Sequence, residues 1–166
     1  MGAFAQLIRQ HQARVFTLAL RFTGNRPDAE ELAQDTFLQL HGSLSQISSP
    51  LHLRHWLLRT VSHRSLNMLR QRGRRPRLVS LDTTAEFAAD AAALPQVDHL
   101  AASRLHGLLL QLGPDARAVM LLRLQEDLDP SDIAAVLAMP LNTVKSHLRR
   151  SLDWLRTQYA GDEHGL

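Results

Sequence analysis

The chain has 166 residues, 45% of them hydrophobic and 5% aromatic, with a formal charge of +3 and no cysteine. That length holds one ordinary domain or two small ones, and a mixture dominated by Leu and Ala favours helices over strands. The missing cysteines exclude a disulfide framework and a cysteine-ligated zinc site, consistent with a reducing cytoplasm. The start, MGAFAQLIRQHQARVF, lacks the long apolar core of a signal peptide, and no apolar run approaches membrane-spanning length, so no membrane insertion is expected.

Three helices are predicted in the first half. Over 4–23, Phe4, Leu7, Ile8, Val15, Phe16, Leu18, Ala19 and Phe22 recur at three- and four-residue steps and stop at Gly24-Asn25. RPDAEELAQDTFLQLH follows with Ala29, Leu32, Ala33, Thr36, Phe37 and Leu40 on one stripe, opened by Pro27 and Asp28. GSLSQISSP reads as a loop by composition. A long helix over 51–72 offers Leu53, Trp56, Leu57, Thr60, Val61, Met68 and Leu69 for burial.

The character changes at GRRPRLVSLDTTAEFAADAAALPQVD, which has alanines and acids but no large apolar face. Residues 74–97 are expected to be a linker, with a helical turn near 84–92. Two dozen residues reach roughly 80 Å when extended. Beyond it, helices are predicted over about 98–112, 114–125, 130–138 and 142–158, with Asp129 as an N-cap and Pro114 and Pro130 in first turns. DPSDIAAVLAMPLNTVKSHLRRSL has the spacing of a helix-turn-helix, with Ile133, Ala134, Leu137, Val144, Leu148 and Leu152 directed to a shared core.

Charge is distributed unevenly. No acidic residue lies between Asp35 and Asp82, whereas Arg54, Arg59, Arg64, Arg70, Arg72, Arg74, Arg75 and Arg77 do. Burying Val144, Leu148, Leu152 and Leu155 leaves Thr143, Lys145, Ser146, Arg149 and Arg150 at the exposed start of the last helix. Arg and Lys there can reach guanine edges, and Ser and Thr can take phosphates; a solvated face is the alternative. On helix 51–72, Arg59, His63, Asn67 and Arg70 share a face, with Trp56 one turn earlier, a pattern able to follow a strand and stack a base. Trp56 can equally be core. His52 and His55 are three apart, but no third ligand stands beside them, which favours a surface role over a metal. Glu31, Asp35 and Leu38, with Gln34 between them, make an acidic outer face suited to a protein partner or to solvent. There is no G-x-S-x-G, phosphate-cradling glycine loop, H-E-x-x-H or dinucleotide fingerprint, so nothing asks for an enzyme.

Taken together, the blocks ALRFTGNRPDAEELAQDTFLQL, RHWLLRTVSHRSLNMLRQRGRR and LGPDARAVMLLRLQEDLDPSDIAAVLAMPLNTVKSHLRRSLDWLR resemble, in order and across almost the whole length, the bacterial extracytoplasmic-function (group IV) sigma factors of the sigma-70 family. The resemblance implies an all-α protein of two small helical domains joined by a flexible linker, the C-terminal one a helix-turn-helix. A region 2-like domain spans 1–73, the linker 74–97, a region 4-like domain 98–160 and a tail 161–166. It implies an alternative sigma factor that binds core RNA polymerase, recognises −35 and −10 promoter elements and promotes melting, with no enzymatic activity and no cofactor. Glu31, Gln34, Asp35 and Leu38 would meet the β′ clamp helices. Trp56, Arg59, His63, Asn67 and Arg70 would lie along the melting −10 element, with a flipped base held by the Ser43–Leu53 loop. Thr143, Lys145, Ser146, Arg149 and Arg150 would read the −35 element, and the same domain would touch the β flap. The free chain would be inactive, its domains packed on each other or held by an anti-sigma factor.

Some positions depart from the family pattern. His63 stands where Asn is frequent, Asn67 where Asp is, and Asn142, a good N-cap, where Gly is usual; Ala138 and Met139 occupy a turn that often has glycine. Two other classes fit parts of the pattern: a stand-alone helix-turn-helix regulator and a helical adaptor that binds only proteins. The acid-free 54–77 stretch argues against a sensor domain, and heparin retention that falls with salt would argue against the adaptor.

Overall fold

The computed structural model describes residues 2–73 and 99–163, and its regular elements are all helical. In order they are α1 (Ala3–Thr23), α2 (Arg26–Ser43), a 3-10 turn (Leu44–Gln46), α3 (Pro50–Arg72), α4 (His99–Leu109), α5 (Pro114–Leu124), α6 (Pro130–Leu137) and α7 (Leu141–Glu163). No strand occurs among the described residues, and none of their helices is long and apolar enough to cross a membrane. The expected linker, including the turn near 84–92, lies outside them.

Local chemistry sets the boundaries. α1 stops where Gly24 takes a left-handed conformation (φ 66°, ψ 19°) and donates its N–H to the Leu20 carbonyl at 2.7 Å. Three helices start on a side-chain cap followed by proline in the first turn: Asn25 accepts from the N–H of Asp28 (3.0 Å), Ser49 from that of His52 (3.1 Å) and Asp129 from that of Asp132 (2.9 Å). Such a cap contributes about 1 kcal/mol.

α1, α2 and α3 pack on one another, and α7 crosses α5 and α6 in the helix-turn-helix. Leu18, Ala19, Phe22, Ala29, Leu32, Phe37, Leu40, Leu53, Leu57 and Val61 form the first core, as the stripes predict. Trp56, Thr60 and Met68 are only half-buried, while Leu58 and Leu66 go inside.

Several expectations are corrected. The GSLSQISSP stretch is not all loop, since α2 runs through Ser43 and Leu44–Gln46 makes a 3-10 turn. The helix expected to reach 112 stops at Leu109, because the carbonyls of Leu110 and Leu112 turn to the Arg117 guanidinium (2.8 and 3.0 Å). Asn142 is not the cap of the last helix but its second residue. Leu152 is 39% exposed, and Ser151 is buried in its place. The reason is angular: at 100° per residue, steps of seven and eleven from Val144 return to the same side, and a step of eight does not. α7 also continues past 158, to Glu163.

The two halves pack into one body. α5 lies against α1 and α3, and α6 lies against α3. Arg117, 5% exposed, sends Nη1 to the Phe22 carbonyl at the end of α1, at 2.5 Å. Gly24 faces Leu110 so closely that a Cβ would sit 3.1 Å from its methyl carbons. In the α5–α6 connection, the buried Glu126 carboxylate lies 3.1 Å from Arg14 Nε on α1 and 3.8 Å from Arg54 Nη2 on α3. Beside it, Arg21 donates to Gln125 Oε1 at 2.7 Å.

Candidate nucleic-acid interface

α3 presents the first candidate surface. Trp56, Arg59, His63 and Asn67 line one groove, along with Thr60 and Arg64 of the same helix and Gln39 of α2. Arg59 and Asn67 are exposed, and Trp56 and His63 half-buried, so the indole offers an edge to the groove without leaving the core. Among the described residues no hydrogen bond or ion pair engages the Arg59 side chain, which leaves its guanidinium open to an anion such as phosphate. Arg64 and Gln39, absent from the sequence-based candidates, close the rim: Arg64 donates through Nε and Nη2 to Gln39 Oε1 at 3.1 and 2.7 Å.

Arg70, expected with this set, does not open into the groove. Its Nη2 is held at 2.6 Å by Asp115 Oδ1 of α5. His63 Nε2 lies 3.0 Å from the carbonyl oxygen of Val136 on α6. A carbonyl only accepts, so this nitrogen carries the proton. Among the described residues, four arginines of the acid-free stretch meet carboxylates from elsewhere: Arg54 that of Glu126, Arg64 that of Asp35 at 3.8 Å, Arg70 that of Asp115, and Arg72 that of Asp28 in a two-pronged pair. That last pair holds the Arg72 pKa above its usual value, mainly through the hydrogen bond.

The Ser43–Leu53 segment leads into α3 in an ordered turn. Ile47 donates to the Leu44 carbonyl (3.2 Å), and the N–H of Ser48 donates to His52 Nδ1 (3.2 Å). His52 is therefore tied to this loop, and no group of three potential metal ligands exists among the described residues.

α7 presents the second surface. Thr143, Lys145, Arg149 and Arg150 are exposed and Ser146 is half-buried, while Val144 and Leu155 anchor the opposite side. Its first turn follows the sharp bend at Ala138, so the free N–H groups and the basic side chains emerge together. One face of that helix is enough to enter a major groove.

On α2, Glu31, Gln34 and Leu38 are exposed, Leu38 at 72%, and Asp35 is half-exposed against Arg64. Gln34 and Leu38 stand at the lip of an apolar groove between α1 and α2 floored by Phe4, Ile8, Phe16 and Phe37. The periodicity places those phenylalanines on helical stripes; side-chain packing decides that the groove between them is open.

Comparison with known proteins bears on both surfaces. Residues 7–75 match the family model for sigma-70 region 2, and residues 102–155 that for sigma-70 region 4. The chain is 33% identical over 162 residues to the ECF RNA polymerase sigma factor SigE of Mycolicibacterium smegmatis, covering 96% of this chain and 63% of that protein. It is 30% identical over 160 residues to the RNA polymerase sigma-H factor of Pseudomonas aeruginosa, covering 90% and 82%. Its fold is similar to that of the sigma factor RpoE from Bartonella quintana, solved in complex with the anti-sigma factor NepR, at a TM-score of 0.68, 19% identity, and coverage of 93% and 94%.

Proposed function

The chain belongs to the extracytoplasmic-function group of the sigma-70 family, the RNA polymerase sigma factors of transcription initiation, and from that premise we propose how its residues divide the work. Residues 1–73 act as the domain that seats on core polymerase and opens the −10 element. Residues 98–160 act as the domain that reads the −35 element, with 74–97 joining the two. Their matched region 2 and region 4 stretches support this division.

The observation that carries the reading is the convergence of Trp56, Arg59, His63 and Asn67 on one groove of α3. A cation, an imidazole, an amide and an indole edge in a row suit a single strand whose bases must be held once unstacked. Extruding a base costs a few kcal/mol, which contact with the Trp56 indole and the Arg59 charge offset. α7 supplies Thr143, Lys145, Ser146, Arg149 and Arg150 to the −35 major groove. The α2 face of Glu31, Gln34, Asp35 and Leu38 meets the β′ clamp helices, and the second domain meets the β flap. An anti-sigma factor restrains the chain in the cytoplasm, a role supported by the fold shared with a sigma factor solved beside its anti-sigma partner.

Each domain alone binds DNA weakly and with steep salt dependence. Mounted together on polymerase, the second contact becomes intramolecular and benefits from a high effective concentration. The test mixes the chain with bacterial core polymerase and a promoter library and maps transcript starts. Initiation at defined sites that requires the chain supports the reading; duplex binding without polymerase engagement would replace it with a stand-alone regulator.

A further inference from the structure

Asn142 is a residue suited to capping a helix, yet the structure gives it no capping to do. α7 opens at Leu141 behind Pro140, and the Val144 N–H donates to the Pro140 carbonyl at 3.1 Å. Asn142 thus stands inside the first turn, past the position from which a side chain caps. It is exposed, and among the described residues no hydrogen bond or ion pair engages its side chain. Asparagine is also a weak helix former, so the fold gains nothing from this amide. Its Oδ1 acceptor and Nδ2 donors are all free.

The turn of the helix decides where that amide points. Val144, Ser151 and Leu155 are 0%, 3% and 6% exposed and define the buried side of α7. At about 100° per residue, Asn142 and Ser146 stand within about 20° of the line opposite Val144. Lys145 and Arg149 lie about 40–80° to one side of it, and Thr143 and Arg150 about 60–80° to the other. A helix seated in a major groove turns its midline to the base edges and its flanks to the two phosphate strands. The cations of α7 are therefore set for the strands, and an amide and a hydroxyl are set for the bases. The midline next carries the exposed Asp153, whose carboxylate repels phosphate, so the reading portion is confined to the first two turns.

We propose that Asn142 is a specificity-determining residue of the recognition helix, reading one adenine of the −35 element. Nδ2 donates to adenine N7 while Oδ1 accepts from the N6 amino group, the two-pronged pair that distinguishes adenine from the other three bases in the major groove. Asn142 was absent from the residues assigned to that element, because the sequence reads it as a cap. The inference rests on the assignment of α7 to the −35 major groove and deepens it.

The test places the full-length chain on core polymerase with a promoter library randomised through the −35 element, and sequences the transcribed templates. The same randomised duplex is also selected with the chain alone. Wild type should favour adenine at one position by about tenfold over the other bases. Asn142→Gly should reduce that preference below about twofold and leave the preferences at other positions as they were. Asn142→Asp, acceptor only, should replace adenine by cytosine, whose N4 amino group donates. Circular dichroism on each variant confirms an unchanged helix content. Adenine preference that survives in Asn142→Gly overturns the proposal. An even loss across all positions also overturns it, because a contact to the backbone carries no base identity. Absence of wild-type initiation on every template counts against the sigma-factor reading, while selection on the duplex still decides the role of Asn142.

Discussion

Nε2 of His63 donates to the carbonyl oxygen of Val136 at 3.0 Å, joining a residue of the α3 groove to the first helix of the helix-turn-helix, 73 positions away. The Nε2–H of the imidazole is thereby taken up by that carbonyl. If His63 sensed protonation rather than contacting DNA, His63→Asn would change the pH dependence of open-complex yield. The expected outcome is a lower yield with the same pH dependence in both proteins, measured at two pH values; a flattened profile would restore the sensing role.

Arg117 donates to three carbonyls: that of Phe22, which joins the halves, and those of Leu110 and Leu112 in its own half. Arg117→Met keeps the volume of the stem but strands those acceptors, one of them fully inside. Hydrogen bonds to a charged group contribute about 1.5–3 kcal/mol each, with incomplete additivity. Urea unfolding should show a loss of about 3 kcal/mol or more. A loss under about 1 kcal/mol would mean that water replaces the guanidinium without difficulty.

His106 on α4 has its pKa pushed down to about 4 from 6.5, first by burial and then by the Arg21 guanidinium. His11 moves the same way, again by burial first and Arg14 second. A depressed folded-state pKa means that the unfolded chain protonates first as pH falls. The contribution is therefore complete above pH 6.5 and is lost as pH drops toward 4. His106→Leu should show a shallower decline in urea midpoint across that window than the parent chain; parallel declines would remove His106 as the cause.

Ala138 ends α6 at φ 54° and ψ 44°, a left-handed conformation that crowds its Cβ. Its side chain is exposed, so nothing is buried by it. Ala138→Gly relieves the crowding at some cost in unfolded-state entropy, for a net gain of about 0.5–1 kcal/mol. A higher urea midpoint with unchanged duplex binding is expected, and a lower midpoint would show that the bend is not strained.

The two surfaces proposed to bind DNA should fail differently. Lys145→Ala and Arg149→Ala should weaken binding to −35 duplex, and each phosphate left without its cation should lower the salt slope by about 1. Trp56→Ala should leave that binding intact and reduce open-complex formation by about 1–3 kcal/mol, the usual value of a base–aromatic stack. A promoter with a pre-opened bubble should recover only part of the defect. Full recovery would assign Trp56 to strand separation alone rather than to holding a base.

Every helix of the described residues was legible in the sequence, and so were several helix ends, because these are set by groups within four positions of each other. The cap of Asn25 on Asp28, that of Asp129 on Asp132, and the left-handed Gly24 are all of this kind. The sets Trp56/Arg59/His63/Asn67 and Thr143/Lys145/Arg149/Arg150 were legible for the same reason, since steps of three and four place side chains on one face. The ion pairing was not. The run of arginines without acids reads as bare positive charge, yet Arg70 finds Asp115 across 45 positions and Arg72 finds Asp28 across 44. Glu126 gives no sign in the sequence that it will be buried between Arg14 and Arg54. Such partners are chosen by which helix faces come together, and that choice is made by the whole core. The sequence by itself determined two helical units and the faces they present; the tertiary structure decided that one unit covers part of the other.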